Sequence, residues 1–491
     1  MESILTILKT IAFILIVLFS FNVIIFVHEL GHFLAARWRG LEVERFQIWF
    51  GKPIWKKTIN GVQYGLGSIP AGGFVALPQM APMEAIEGDN SKREKALPPI
   101  TPLDKIIVAF AGPLFSFLLA LAAAAVIWQV GKPKDLVESQ TVGYLAPGMP
   151  AETAGLLLGD KIIAVNGETI HGFAGSLDSI QENIIFSEGD SIDLLVQRPG
   201  VGELTLNTKF HIDEAENFAK RDGVRQIGIA PSSEVIVGAV SKGGPADIGG
   251  FKTGDRVLSL NGEKVWSVAH FISLVQAEPD AVLTAKVIRG TEELELKAVA
   301  MVPSNGFSVI PGGDAKPMIG MGFQAPSSAT QLVYPGPWEQ VTASSKMMAV
   351  TIGALVSSNS SIGPQHLSGP VGIGKVKYRI LQSDYPFRLM LHFWVLFNVN
   401  LAIFNMLPFP VLDGGHITMA VMEGIRKKPL NTKVLEVVQS GFVALLLTMF
   451  VYVTMKDTFT KFGSDAPERS SEEPQAPVWD RTELQSKLSQ S

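Results

Sequence analysis

No cysteine occurs anywhere in the 491 residues. That removes disulfide staples, a thiol nucleophile and thiolate metal ligands together, and it selects no compartment. Charge is scarce as well. Asp, Glu, Lys and Arg make up 18% of the chain against 47% hydrophobic residues, and the mean hydropathy is +0.27. A globular domain carries about 25% charged residues, so this composition points away from an ordinary soluble enzyme. The net charge of -5 offers no basic surplus to neutralise phosphates, which excludes nucleic acid as an expected partner.

Charge is missing most completely from four stretches. Residues 10–36 carry none outside one short motif, 106–131 none between Lys105 and Lys132, and 389–412 none. Residues 437–455 have charge only at their rims, Glu436 and Lys456. About 20 apolar residues cross a bilayer as a helix, so a polytopic membrane protein with four spanning helices is expected. A cleaved signal peptide competes for the first stretch. That run is too long for one, and no small-residue cleavage site follows it. Arg37, Arg39, Arg45, Lys52, Lys56 and Lys57 follow the first span; Arg426, Lys427, Lys428 and Lys433 lie between the third and fourth. Lys and Arg mark cytoplasmic loops. The long 132–385 segment and both termini then belong on the outer side.

The motif inside the first span is His28-Glu29-Leu30-Gly31-His32. Helix positions i and i+4 share a face, so His28 and His32 can aim at one ion. Zinc suits two imidazoles plus a third protein ligand and an open position. Glu29 is placed to act as the general base on the attacking water. Ionisable groups at membrane depth are costly and usually functional, which favours a metal site over a chance pattern. The third ligand must come from elsewhere. The metal should lie within the bilayer, toward the cytoplasmic side.

Residues 58–83 are uncharged but hold Gly61, Gly65, Gly67, Pro70, Gly72, Gly73, Pro78 and Pro82. So many breakers argue against a spanning helix. Residues 62–66 and 73–77 read as short strands of a re-entrant hairpin beside the metal, whose edge could take an extended substrate by strand addition. Gly72 and Gly73 are then candidate substrate-contact positions. A cytoplasmic surface hairpin is the alternative. A charged linker covers 84–105, and Ala111-Gly112-Pro113 reads as a small-residue contact between helices.

An internal repeat follows at an offset of 95 residues: Val142–Ile170 matches Val237–Val265. Gly148/Gly243, Pro150/Pro245, Gly155/Gly250, Asp160/Asp255 and Asn166-Gly167/Asn261-Gly262 coincide. Each copy reads as strand, short helix, G-D turn, strand and N-G turn. The pattern resembles bacterial PDZ domains, giving two inserted PDZ-like α/β domains at 132–222 and 223–303. Peptide capture and a purely steric role both stay open. Residues 304–385 form a connector holding an amphipathic surface helix at 338–358, and 368–374 read as a flexible loop.

In 386–463, the third span carries Asn398, Asn400 and Asn405 and ends in Leu407-Pro408-Phe409-Pro410-Val411-Leu412-Asp413-Gly414-Gly415-His416. The prolines break the helix near the membrane face. Asp413 is the best third ligand, with a helix N-cap as its other reading; His416 is a weaker candidate. Asn405 could hydrogen-bond a substrate carbonyl or developing oxyanion, or simply a neighbouring helix. Residues 464–491 have the composition of a disordered tail.

With H-E-L-G-H in the first span, L-D-G-G-H after the third and the PDZ pair between the second and third, the chain resembles the site-2 protease family of intramembrane zinc metalloproteases, in particular its Gram-negative bacterial branch. The resemblance covers residues 1 to about 460. It implies His28, His32 and Asp413 as ligands of a Zn2+ ion, Glu29 as base, and Asn405 and, less directly, Asn400 as substrate-positioning groups. It also implies location in the bacterial inner membrane with the PDZ pair periplasmic. The implied substrates are single-span membrane proteins, an anti-sigma factor and signal-peptide remnants among them, with the PDZ pair as a size filter. Two rival classes remain. A non-catalytic membrane PDZ adaptor would have no need of Glu29. A metal transporter would spread ligands over several spans, and the second and fourth offer none.

Overall fold

The structure is a computed structural model that describes residues 2–80, 99–215, 220–308, 314–324, 331–428, 432–459 and 477–489. Among the described residues, four helices are long and apolar enough to cross a membrane: Ile7–Arg39, Pro102–Val130, Pro386–Asn405 and Val434–Phe459. The chain divides into two compact units, residues 1–133, 332–352 and 367–458 in one and the remainder in the other.

In the membrane unit, sequence sets where each spanning helix begins and ends. The second starts with a capping box: Thr101 accepts from the Asp104 N–H at 3.2 Å, and Asp104 accepts from the Thr101 N–H at 2.9 Å. This satisfies two backbone donors that a helix start leaves open. Arg39, at the end of the first helix, reaches the same Asp104 carboxylate at 2.7 Å. The first two helices cross where side chains are missing. A Cβ on Gly31 would lie 2.3 Å from the Ala111 carbonyl oxygen, and one on Gly112 would lie 2.1 Å from His32 Nε2.

The third spanning helix stops at Asn405, short of the expected 412, because Pro408 and Pro410 cannot continue it. A further helix, Asp413–Arg426, follows and packs on the second span through a Lys105–Glu423 ion pair of 2.7 Å. The expected flexible loop at 368–374 is corrected: Pro370–Gln382 is a helix. The Gly369 and Gly372 N–H groups at its start both donate to Asp457 of the last span at 2.8 Å, an anion at a helix N-terminus. The helix expected at 338–358 is Pro337–Val356. Its Val341 joins a core with Ala120, Ala124, Val395 and Val399 rather than resting only on a surface.

The pairing expected between 62–66 and 73–77 is also corrected. Four strands form one sheet: β1 (Arg45–Phe50), β2 (Trp55–Ile59), β3 (Val62–Leu66) and β4 (Ile69–Ala76), in the order β2-β3-β1-β4. β2 and β3 are a hairpin closed by Asn60-Gly61, both at positive φ (50° and 84°), as a two-residue turn of this type demands. β3 and β4 are not partners. β1 lies between them, parallel to β3 and antiparallel to β4, which leaves β4 as an edge. Residues 81–83 of the expected hairpin, and 84–98 of the expected linker, lie outside the described residues.

The second unit holds the repeat. Strands Val142–Leu145, Lys161–Val165, Ser191–Arg198 and Gly202–Lys209 with helix Ile180–Phe186 match Val235–Val240, Arg256–Leu260, Val282–Arg289 and Glu292–Val299 with helix Val268–Ala277. Each copy has its own apolar core. Both boundaries move: Ile229–Pro231 pairs back onto Val142–Leu145, and Met321–Phe323 onto Val235–Val240. Each copy is thus completed by a short strand beyond its expected end. One ion pair is duplicated. Arg198 Nε donates to Asp160 at 2.9 Å and its terminal amino group to the Gly155 carbonyl at 2.7 Å; Arg289 does the same to Asp255 at 2.7 Å and to Gly250 at 2.7 Å. The expected disordered tail is corrected for its end. Residues 481–489 form a helix, and Trp479 and Leu484 are buried against Val299 and Met301.

Candidate metal centre

His28 and His32, one turn apart, meet Asp413 from the start of the later helix. The two Nε2 atoms are 3.3 Å apart. Asp413 Oδ2 is 3.3 Å from His28 Nε2, and its Oδ1 is 3.3 Å from His32 Nε2. Zinc binds such N and O donors at about 2.0–2.1 Å in a tetrahedron, whose edges are then about 3.3–3.4 Å. The three side chains converge on one point, with one Asp413 oxygen facing each imidazole. Among the described residues they are the one group of three or more His, Asp or Glu side chains close enough to hold an ion.

Both imidazoles are oriented from behind. His32 Nδ1 lies 2.8 Å from the Val108 carbonyl oxygen and His28 Nδ1 3.0 Å from Ser116 Oγ. A donated Nδ1–H leaves the Nε2 lone pair free for a metal. Gly112 and Pro113 bring this turn of the second span close. Pro113 has no N–H for the Ala109 carbonyl, and Gly112 leaves His32 its space. Ser116 went unnoticed in the sequence, although it is the sole hydroxyl between Lys105 and Lys132.

Asp413 is not an N-cap. Leu412 holds that position, without a side-chain cap, and Asp413 is the first helical residue. Gly414 and Gly415 let this helix start press on the loop before it: a Cβ would lie 2.2 Å from the Met406 carbonyl oxygen or 2.0 Å from that of Phe409. His416 is not in the metal group. It lies with Lys105, Met419 and Glu423 instead.

Of the remaining expected site residues, Asn405 reaches His28 Nε2 at 3.4 Å. Asn400 is not brought in. Five residues on a helix turn a side chain about 140° away from Asn405, and its Oδ1 is buried without a hydrogen bond. Glu29 interacts electrostatically with His28, His32 and Asp413. Gly73 of β4 lies against it: an added Cβ there would be 3.2 Å from Glu29 Cγ. Gly72 has φ of 68°, and a Cβ on it would strike the Phe50 ring.

Residues 15–449 match the model of peptidase family M50. The chain belongs to peptidase family M50. Relatives match it nearly end to end. "Protease RseP" of Yersinia pestis is 28% identical, covering 88% of this chain and 95% of that protein. "Regulator of sigma-E protease RseP" of Escherichia coli K12 is 27% identical over the same shares. "Regulator of sigma E protease" of Haemophilus influenzae is 27% identical, with 89% and 96% covered. A solved PDZ domain of an SdrC-like protein from Listeria monocytogenes is 17% identical, covering 19% of this chain and 90% of that one at a TM-score of 0.16. As an M50 peptidase the chain is a zinc metallopeptidase of the site-2 type and a bacterial inner-membrane protein.

Proposed function

We propose that this M50 peptidase hydrolyses a peptide bond within the membrane at the His28, His32 and Asp413 centre. The observation that carries this reading is the convergence of the two Nε2 atoms, 3.3 Å apart, with one Asp413 oxygen 3.3 Å from each, a donor set suited to zinc. Zinc bound there supplies a Lewis acid for the scissile carbonyl and brings its water to a pKa of about 7. Glu29 takes the proton of the attacking water and passes it to the leaving amine. Asn405 donates its amide to the oxyanion as it develops. Val108 and Ser116 hold the imidazoles so that neither ligand turns away.

A membrane helix hides its own carbonyls in hydrogen bonds, so the substrate unwinds before it is cut. The edge of β4 accepts the freed backbone as an added strand, and Gly73, without a side chain, lets β4 itself lie against Glu29. The substrates are single-span membrane proteins, including an anti-sigma factor and remnant signal peptides. The two repeat modules are PDZ-like, stand on the periplasmic side and act as a size filter. The resemblance in motif order supports these finer assignments, and the names of the relatives support a role in sigma-E regulation.

Glu29→Gln is the test. Zinc content should stay at the parent level while cleavage of a single-span reporter falls by at least about 10³-fold. Undiminished turnover would sink the assigned base.

A further inference from the structure

Trp49 has φ of 69°. Left-handed backbone favours glycine, and a bulky residue held there is a strained exception that marks an over-determined place. Here the pairing of β1 with β4 is interrupted. Pairing with β4 is regular from Arg45 to Ile48, then resumes only at Phe50 opposite Ile69. Pro70, Ala71 and Gly72 therefore stand against Trp49 alone.

Three features hold this bulge in place. The buried Gln47 amide donates to the Trp49 carbonyl at 2.9 Å and to the Gly51 carbonyl at 3.0 Å. Gly67 passes so close that a Cβ would be 2.4 Å from the Trp49 carbonyl oxygen. The indole Nε1–H donates to Asn22 Oδ1 on the first spanning helix. Asn22 has its amide already set, because Nδ2 donates to the Leu18 carbonyl at 2.7 Å, so Oδ1 is the atom left to face the indole.

Asn22, Ile25 and Glu29 follow the 3-then-4 spacing that lines one helix face. β4 lies on that stripe: a Cβ on Gly73 would be 3.0 Å from Ile25 Cγ2 and 3.2 Å from Glu29 Cγ. Asn22 is about 10 Å along the axis from Glu29. The hydrogen bond at one end of the stripe thus fixes the sheet relative to the base at the other.

We propose that Asn22 and Trp49 are a positioning pair for the peptidase reaction: their hydrogen bond clasps the sheet to the first spanning helix and so sets which peptide bond of an added strand meets the metal centre. This rests on strand addition at β4. Neither residue touches the reacting atoms.

A strand repeats its pairing every two residues, so a loosened edge should accept substrate slipped by two. In the full-length protein, Trp49→Phe removes the donor and keeps an aromatic ring; Asn22→Leu removes the acceptor and suits an apolar helix. Both should keep the parent's zinc content, lower kcat with little change in KM, and add a cut two residues from the original bond by mass spectrometry. Asn22→Asp, which keeps an acceptor, should restore the single cut. The absence of cysteine permits a readout independent of turnover. Spin labels on Ile69→Cys and Leu34→Cys, both exposed positions, should give a narrow distance distribution that broadens in Trp49→Phe and Asn22→Leu and narrows again in Asn22→Asp. An unchanged cleavage bond and an unchanged distribution in both variants would overturn the clasp. Strand addition itself is read separately, with a substrate N-methylated at alternate residues around the bond. If that substrate is cut as fast as the unmethylated one, strand addition fails and the proposal with it. If it resists while register and distances hold in the variants, only the clasp fails.

Discussion

Asp413 and Asp255 are both deep carboxylates, with side chains 18% and 0% exposed, but they keep different company. Both oxygens of Asp255 are taken by the Arg289 fork at 2.7 and 2.8 Å. Burial on its own would raise this carboxyl; the guanidinium hydrogen bonds and charge outweigh it and hold the group below its ordinary 3.8. Asp160 and Arg198 repeat the arrangement in the first module. Asp413 has two imidazoles instead, groups that can be neutral and that leave lone pairs converging beside its own. A permanent cation already completes the first kind of site, which belongs to the fold. The second kind is completed by a metal, and belongs to the chemistry.

The difference is open to direct attack. Asp413→Ala should lower bound zinc to well below that of the parent and cut turnover by at least about 10³-fold, while thermal unfolding of the metal-free protein barely moves. Full metal occupancy in that variant would erase the distinction. Asp255→Ala takes the carboxylate from Arg289, which keeps the Gly250 carbonyl, and should reduce the stability of the second module by about 2 kcal/mol, read as a lower urea midpoint, with zinc affinity intact. Asp160→Ala should act alike on the first module; an effect in one copy alone would show that the duplicated geometry is not duplicated energetically. Ser116→Ala releases the back of His28 and should weaken zinc binding about 10–100-fold, measured by competition with a chelator. The smallest effect is acidity. Asp255 is depressed in the fold, so its contribution is complete above 3.8 and is lost as pH falls through the lower folded value. This contribution to the second module should therefore fade as pH drops below about 3.8, followed by circular dichroism against Asp255→Ala.

How far the sequence could be read differs along the same line. His28 and His32 announce themselves by an i, i+4 spacing, and Asp413 by the proline break before it. Ser116 and Val108 act through space, 88 and 76 residues from the histidines they orient, and no local period encodes that. β1 was missed because Arg45–Phe50 follows directly on the basic rim of the first span and looked like part of a loop. Its neighbours in the sheet were read as strands, β4 four residues short at its start, and wrongly as partners. The repeat was legible from Gly148/Gly243 to Asn166/Asn261, but the strands that close each copy are three residues long and carry no pattern of their own. Trp49 lay beyond reach: its role depends on a backbone angle and a partner 27 residues away.

Trp479 and Leu484 bear on how the molecule can be handled. They roof Val299 and Met301, with Met318 beside them. A chain cut after Phe459 keeps every spanning helix and the whole metal centre, yet bares that apolar patch, and uncovered patches promote self-association. Truncated material that clumps would then report a missing roof and not a damaged catalyst, so any dissection of the second module should carry residues 477–489 with it.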